Sequence, residues 1–400
     1  MNYLLVNHIP AHVGRDASHV HLPRAWARDL AAAARAASGA GARLLVATPL
    51  SDAPAPRDAI ELVPDENGFE HVPLPHYSSA RSFLRERAKL TAQLELAVSA
   101  ADVVQLDLGG HPVPLGLVAD PLARAAGKPT IWMTAGERAP DLRLASESRS
   151  ATKRAVGRTL DTRVRRSLSD ALREAGAVIT THAEASAELD RSGIASTTIE
   201  SVAVADAEVA TDPQTAARHA RLLDGSRPLR ILVTGEHTID RGTEHVLAAM
   251  FRCWRLRVPV TLVTTSRGSE SDAVRQHARE LGLTSHVTLI DPVPLDEADL
   301  IIDPALGNAA RLDLELFLAR GLPAIAYSPR SAAPAILSLP RGDVDALADA
   351  LFRAATDRAA LAARMISGHA WVRARTIDAA HRQRFALART LARTTARGAA

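Results

Sequence analysis

Between Leu229 and Pro323 the chain alternates short apolar runs with helical stretches, and that alternation leaves few folds open. Ile231-Leu232-Val233 reads as a buried parallel strand. A turn at Gly235 follows, then a loop to Arg241-Gly242, then a helix with Val246, Leu247, Met250 and Phe251 on its apolar side. The stretch closes on DLIIDPALGNAARLDLELFLARGLPAIAYS: a second strand, a loop holding Gly307-Asn308, a helix, and a third strand after Gly321-Leu322-Pro323. Strand, turn and helix in repetition predict a parallel sheet, which holds ligands where strand ends meet helix starts.

The first two hundred residues carry the same pattern. Tyr3-Leu4-Leu5-Val6 reads as a strand, followed by a loop containing Gly14 and a helix from Pro23 to Ala37. Arg43 to Thr48 is a second strand, and the Pro-, Asp- and Glu-rich residues 49–75 read as an irregular excursion at the sheet edge. A helix over Ser79–Ala101 leads to a short strand ending at Asp107, then to Gly109-Gly110-His111-Pro112. The strand Thr130–Met133 ends at Thr134. A chain of 400 residues exceeds one comfortable core. The reading is therefore α/β with two Rossmann-like domains, 1–205 and 229–366, an Ala-, Asp- and Pro-rich linker over 206–228, and terminal helices over 367–400.

Composition removes several classes. With 47% hydrophobic and 23% charged residues the chain is not disordered. The single Cys253 excludes a disulfide framework and a cysteine metal site, and fits a reducing cytoplasm. MNYLLVNHIP lacks a charged leader region, and no window reaches the roughly twenty apolar residues that cross a bilayer. A net charge of +3, without stacking aromatics among the basic residues, speaks against a nucleic-acid partner. The basic run Arg149–Arg166 admits peripheral contact with an anionic membrane at its inner face, although Val156, Leu160 and Val164 form a thin apolar side. His8, His12, His19 and His21 lack metal-ligand spacing and read as surface histidines.

Five pieces in order carry a resemblance: the strand Ile231-Leu232-Val233, GEHTIDRG, TLVTTSRGSE, HARELGLTSHVTLIDPVP and DPALGNAARLDLELFLARGLP. This succession resembles the retaining GT-B glycosyltransferases of the large bacterial family related to glycogen and sucrose synthases. The resemblance is clearest over 229–366 and looser over 1–200. It implies two Rossmann-like domains facing across a cleft, the C-terminal helices crossing back to the first. It also implies metal-independent transfer, without a cofactor, from a nucleotide sugar to a saccharide or lipid-linked acceptor, as in surface polysaccharide or glycoconjugate synthesis.

A departing nucleoside diphosphate needs cations and helix-start amides. On the donor side the resemblance points to Gly235, Glu236, Arg241, Gly242, Arg267, Asn308 and Glu315 as donor-binding positions, with Arg241 and Arg267 as the cations. On the acceptor side it points to His111 and Thr134 as catalytic positions, and to Gly14, Arg15 and Arg138 as contacts, with Asp107 as an alternative. The chain departs from the family at several of these. Glu236 stands where a phosphate-binding Arg is expected, and Ala135 where a His is expected. The paired acidic positions fall on Asn308 and Leu316, with Glu315 one residue earlier. The departures leave a second function open, a catalytically weak or inactive homologue that binds a sugar nucleotide or a partner protein. Sugar-nucleotide epimerisation on the same fold is a third.

Overall fold

The structure, a computed structural model, describes the chain apart from residues 17–18, 110–112, 135–150, 236, 238–239, 293–294, 307–312, 329–332 and 399–400, and the side chains of 151–162 and 398. It divides into two compact units, Met1–Ser201 with Ile377–Ala400, and Val202–Thr376.

The first unit runs β1 (Asn2–Val6), β2 (Ala11–Val13), β3 (Val20–Pro23), α1 (Arg24–Gly39), β4 (Arg43–Ser51), β5 (Ala59–Leu62) and β6 (Glu70–Pro75). It continues through α2 (Ala80–Ala100), β7 (Val103–Asp107), α3 (Leu115–Ala125), β8 (Thr130–Thr134), α4 (Ala151–Glu174), β9 (Ala177–Thr180), α5 (Ala183–Arg191) and β10 (Thr197–Thr198). The second holds α6 (Asp212–Leu223), β11 (Leu229–Val233), α7 (Thr243–Arg255), β12 (Val260–Thr264), α8 (Ser271–Glu280) and β13 (Val287–Leu289). After these come β14 (Leu300–Asp303), α9 (Leu314–Ala319), β15 (Ala324–Tyr327), β16 (Ile336–Leu339), α10 (Val344–Thr356) and α11 (Arg358–Arg373); α12 (Ile377–Gly398) returns to the first unit.

The second unit's sheet has the order β13-β12-β11-β14-β15-β16, every pair parallel. That is the doubly wound nucleotide-binding order, which reverses direction between β11 and β14. In the first unit β6-β4-β1-β7-β8-β9-β10 follows the same logic and reverses between β1 and β7. Both central strands are continuous apolar runs because both faces are covered. Tyr3 and Leu5 of β1 pack with Leu30 of α1 and Phe385 of α12, while Leu4 and Val6 pack with Leu90 of α2 and Leu115 of α3. Each buried side chain of this kind stabilises by about 1.5–3 kcal/mol. Polar contacts fix α12 on α1: Arg35 donates to Asp378 at 2.6 Å, and His381 Nε2 lies 3.1 Å from Asp29.

Several expectations change here. The loop expected after the first strand contains a hairpin, with His12 and Val13 pairing His21 and Val20, because Val20 and Leu22 alternate inward. The edge excursion over 49–75 contains β5 and β6, and β6 pairs in parallel with β4. The expected linker over 206–228 forms α6 instead. Its Arg218 is 7% exposed and donates to the Ala298 carbonyl at 2.5 Å, which anchors it to the second unit. Of the terminal helices placed at 367–400, the first unit takes the chain from Ile377 onward.

In β4, the Thr48 hydroxyl hydrogen-bonds His71 Nε2 at 3.0 Å, and burial pushes the His71 imidazole down to about 4. The unfolded chain takes this proton near pH 6.5, so the stability that the neutral ring confers is lost as pH falls from about 6.5 toward 4. His71→Gln should flatten the fall of the urea midpoint between pH 7 and pH 4.5. An unchanged slope would locate the acid sensitivity elsewhere.

Candidate functional site

In the second unit the loop after β11 carries Gly235, Arg241 and Gly242, which meet at the point where strand order reverses. Gly242 caps α7 with φ of 72°, and a Cβ there would stand 2.3 Å from the Pro304 carbonyl oxygen, just beyond β14. The Asp240 carbonyl accepts Leu306 N–H at 2.7 Å. Arg241 is 3% exposed; its Nη2 is 3.3 Å from Asp303 Oδ1, and its guanidinium lies against Gly235. Burial pushes the guanidinium pKa down, and Asp303 opposes that shift. The expected phosphate cation is thus turned to a carboxylate on the last residue of β14.

His237 locks the same loop from beneath. The ring is fully buried, its Nε2–H donates to the Thr265 carbonyl at 2.9 Å, and its Nδ1 accepts from the Thr243 hydroxyl at 3.1 Å. Burial lowers its pKa, which keeps it neutral in this arrangement. Arg267, on the loop after β12, forms a two-point pair with Asp291 at 2.6 and 2.7 Å and is 64% exposed. Glu315 lies half-buried in the first turn of α9, with no hydrogen bond or ion pair to Arg241 or Arg267 among the described residues. Glu236 and Asn308 lie outside the described residues.

In the first unit Thr134 ends β8, buried to 7%, beside the strand that ends in Asp107. Gly14 turns the β2–β3 hairpin, donating its N–H to the His19 carbonyl at 3.0 Å. Arg15 beside it is 83% exposed and lies 3.4 Å from Glu61. His111 and Arg138 lie outside the described residues. Two of the four N-terminal histidines are not simple surface residues: His12 is buried with Nδ1 2.9 Å from the Ala53 carbonyl, and His8 Nδ1 lies 2.9 Å from Asp107 Oδ2. The hydrogen bond with Asp107 raises the His8 pKa above the ordinary imidazole value. The only sequence signal for this pair was position, one residue just after β1 and one at the end of β7. Among the described residues no group of three His, Cys, Asp or Glu side chains converges to hold a metal, and no helix is long and apolar enough to cross a membrane.

Among solved structures, HepE from Anabaena, crystallised with UDP, superposes with a TM-score of 0.50 over 98% of this chain and 100% of its own, at 14% identity. The architecture is GT-B. At that identity the likeness is one of fold. Sucrose-phosphate synthase from Thermosynechococcus elongatus gives a TM-score of 0.47 at 17% identity, covering 98% of this chain and 99% of its own. No family model matches the sequence, and no curated protein matches it significantly. Within this GT-B chain the two reversal points are each spanned by an ion pair, Arg241–Asp303 in one unit and His8–Asp107 in the other.

Proposed function

We propose that the chain is a glycosyltransferase that moves a sugar from a nucleotide-sugar donor to a saccharide or lipid-linked acceptor, in surface polysaccharide or glycoconjugate synthesis. The observation that carries this reading is the second unit's β13-β12-β11-β14-β15-β16 sheet, with a glycine loop and the start of α7 at its reversal point. A helix start in that position presents backbone N–H groups and a positive dipole end to a diphosphate. HepE, which shares the fold, binds UDP. The resemblance implies metal-independent, cofactor-free retention by front-face attack, with the leaving diphosphate stabilised by Arg241, Arg267 and helix-start amides.

The protein is placed in the cytoplasm or peripherally at the inner face of an anionic membrane, without a nucleic-acid partner. Val164, Leu168 and Leu172 of α4 turn into the first unit's core, while Arg163, Arg165 and Arg166 are exposed. Any lipid contact by the described part of this helix is then electrostatic, worth about 1 kcal/mol per cation.

A second reading, a catalytically weak or inactive homologue that binds a sugar nucleotide or a partner, is favoured by one observation. Arg241 and Arg267, the two cations expected at the diphosphate, are each engaged by a carboxylate. Thermal shift against a panel of nucleoside diphosphates and nucleotide sugars tests both. A bound nucleotide at about a hundred times its Kd should stabilise the fold by about 2.7 kcal/mol. Donor consumption with added acceptors would establish transfer. Binding without turnover would favour the second reading, and no shift with any nucleotide would sink both.

A further inference from the structure

We propose that the second unit binds a single-chain anionic amphiphile, an apolar chain ending in a carboxylate or phosphate, in a cleft under the turn between α10 and α11. The cleft has a volume of about 330 Å³, at the lower end of the range of small-molecule sites. Leu300, Ile325 and Leu337, from the neighbouring strands β14, β15 and β16, form its floor. Ala350 and Ala354 of α10 and Leu361 of α11 form its walls. Apart from Arg353, Asp357 and Arg364, every lining residue is apolar. The interior therefore offers no side-chain hydrogen bond, which disfavours a sugar or a nucleotide there.

The three charged residues are exposed and stand at the mouth. Asp357 is engaged there: it caps α11, its Oδ1 accepting the Ala360 N–H at 2.9 Å. Neither Arg353 nor Arg364 has an ion pair among the described residues. The mouth thus sets two cations against one capped carboxylate. Their forked donors match a carboxylate or phosphate head, while the apolar interior suits the chain behind it.

Protein interiors close-pack, so a space of this size needs a cause. Alanines at 350 and 354 leave the space, and a fixed turn keeps it. Arg358, 8% exposed, donates from Nε to the Ala355 carbonyl at 3.1 Å and from Nη2 to the Arg227 carbonyl at 3.2 Å. Held this way, α10 and α11 do not collapse onto the strands. The cleft also lies away from the reversal point. Leu300 begins β14 and Asp303, beside Arg241, ends it, about 10 Å farther along the strand. Amphiphile and nucleotide then occupy separate sites, and this proposal stands independently of the transferase reading.

The test titrates decanoate, below its micelle concentration, into the full chain and follows binding by calorimetry. Decanoate should bind saturably at one site, decyl phosphate should compete with it, and uncharged decanol should bind about tenfold more weakly or worse. Arg353→Gln combined with Arg364→Gln should weaken decanoate by about tenfold or more. Ala354→Leu should weaken it as much without lowering the urea midpoint, because the leucine fills the cleft. The arginines are exposed, so their variant tests the head-group site whatever the leucine does to folding. Equal binding of decanol overturns the proposal, as does decanoate affinity within about threefold of the parent in the arginine variant. Sedimentation with phosphatidylglycerol vesicles, without binding of monomeric decanoate, would assign the arginines to a membrane surface and overturn it. So would displacement of a bound nucleoside diphosphate by decanoate. Absence of any nucleotide binding would remove the transferase reading and leave this result standing.

Discussion

Alanine at Gly268 is expected to destabilise the second unit by about 4 kcal/mol or more, among the largest losses a single substitution produces. Gly268 has φ of 109°, a conformation that costs a side-chain-bearing residue about 1–3 kcal/mol. The added Cβ would also stand 2.3 Å from both the nitrogen and the oxygen of His237. Those are backbone atoms, so the two loops must part. Parting them breaks the bonds from His237 N–H to the Arg267 carbonyl at 3.0 Å and from Glu270 N–H to the His237 carbonyl at 3.2 Å, about 1 kcal/mol each. It also moves the His237 ring off Thr265 and Thr243, whose bonds it makes while fully buried. Because these loops form the wall beside β11 and β12, nucleotide-induced stabilisation should disappear as well. Urea unfolding measures the first effect and thermal shift the second. A loss under about 1 kcal/mol would show that the loops separate at little cost.

Arg241→Ala is expected to cost about 3–5 kcal/mol, the usual penalty for taking one partner from a buried ion pair. Asp303 is 5% exposed and Arg241 3%, so the remaining carboxylate would sit desolvated without its cation. Replacing both partners, as in Arg241→Met with Asp303→Leu, should recover much of the loss, since well-packed apolar pairs often equal or exceed buried ion pairs. Failure of that recovery would mean that the pair's other contacts, rather than its charge, hold the loop. The double variant also separates wall from ligand contact. If it regains stability and still binds nucleotide, the guanidinium only closes the reversal point. If it regains stability but loses nucleotide, Arg241 reaches the diphosphate in the bound state.

Much of the architecture was legible because it rests on local patterning. Tyr3–Val6 and Ile231–Val233 are continuous apolar runs, and such runs are buried on both faces only in a parallel sheet covered by helices. Gly235 and Gly242 marked a turn and a helix start from spacing alone. The hairpin over 11–23 was not legible, because β2 and β3 find partners at Leu50–Ser51 and Ala59–Leu62 that no local pattern announces. Residues 206–228 read as a linker by composition, yet Arg218 gains its burial from a carbonyl that only the fold supplies.

The site divides along the same line. By itself the sequence determined the elements, their order and the glycine turns, since hydrophobic period and turn chemistry act over a few residues. Only the tertiary structure decided which strands are neighbours, and so which side chains meet at a reversal point. Arg241 read as a ligand cation until β14 brought Asp303 beside it, and His8 read as a surface histidine until β7 brought Asp107 within 2.9 Å. Strand pairing is a non-local choice made by burying whole faces, and the charge of a residue says nothing about which distant carboxylate that choice will place against it.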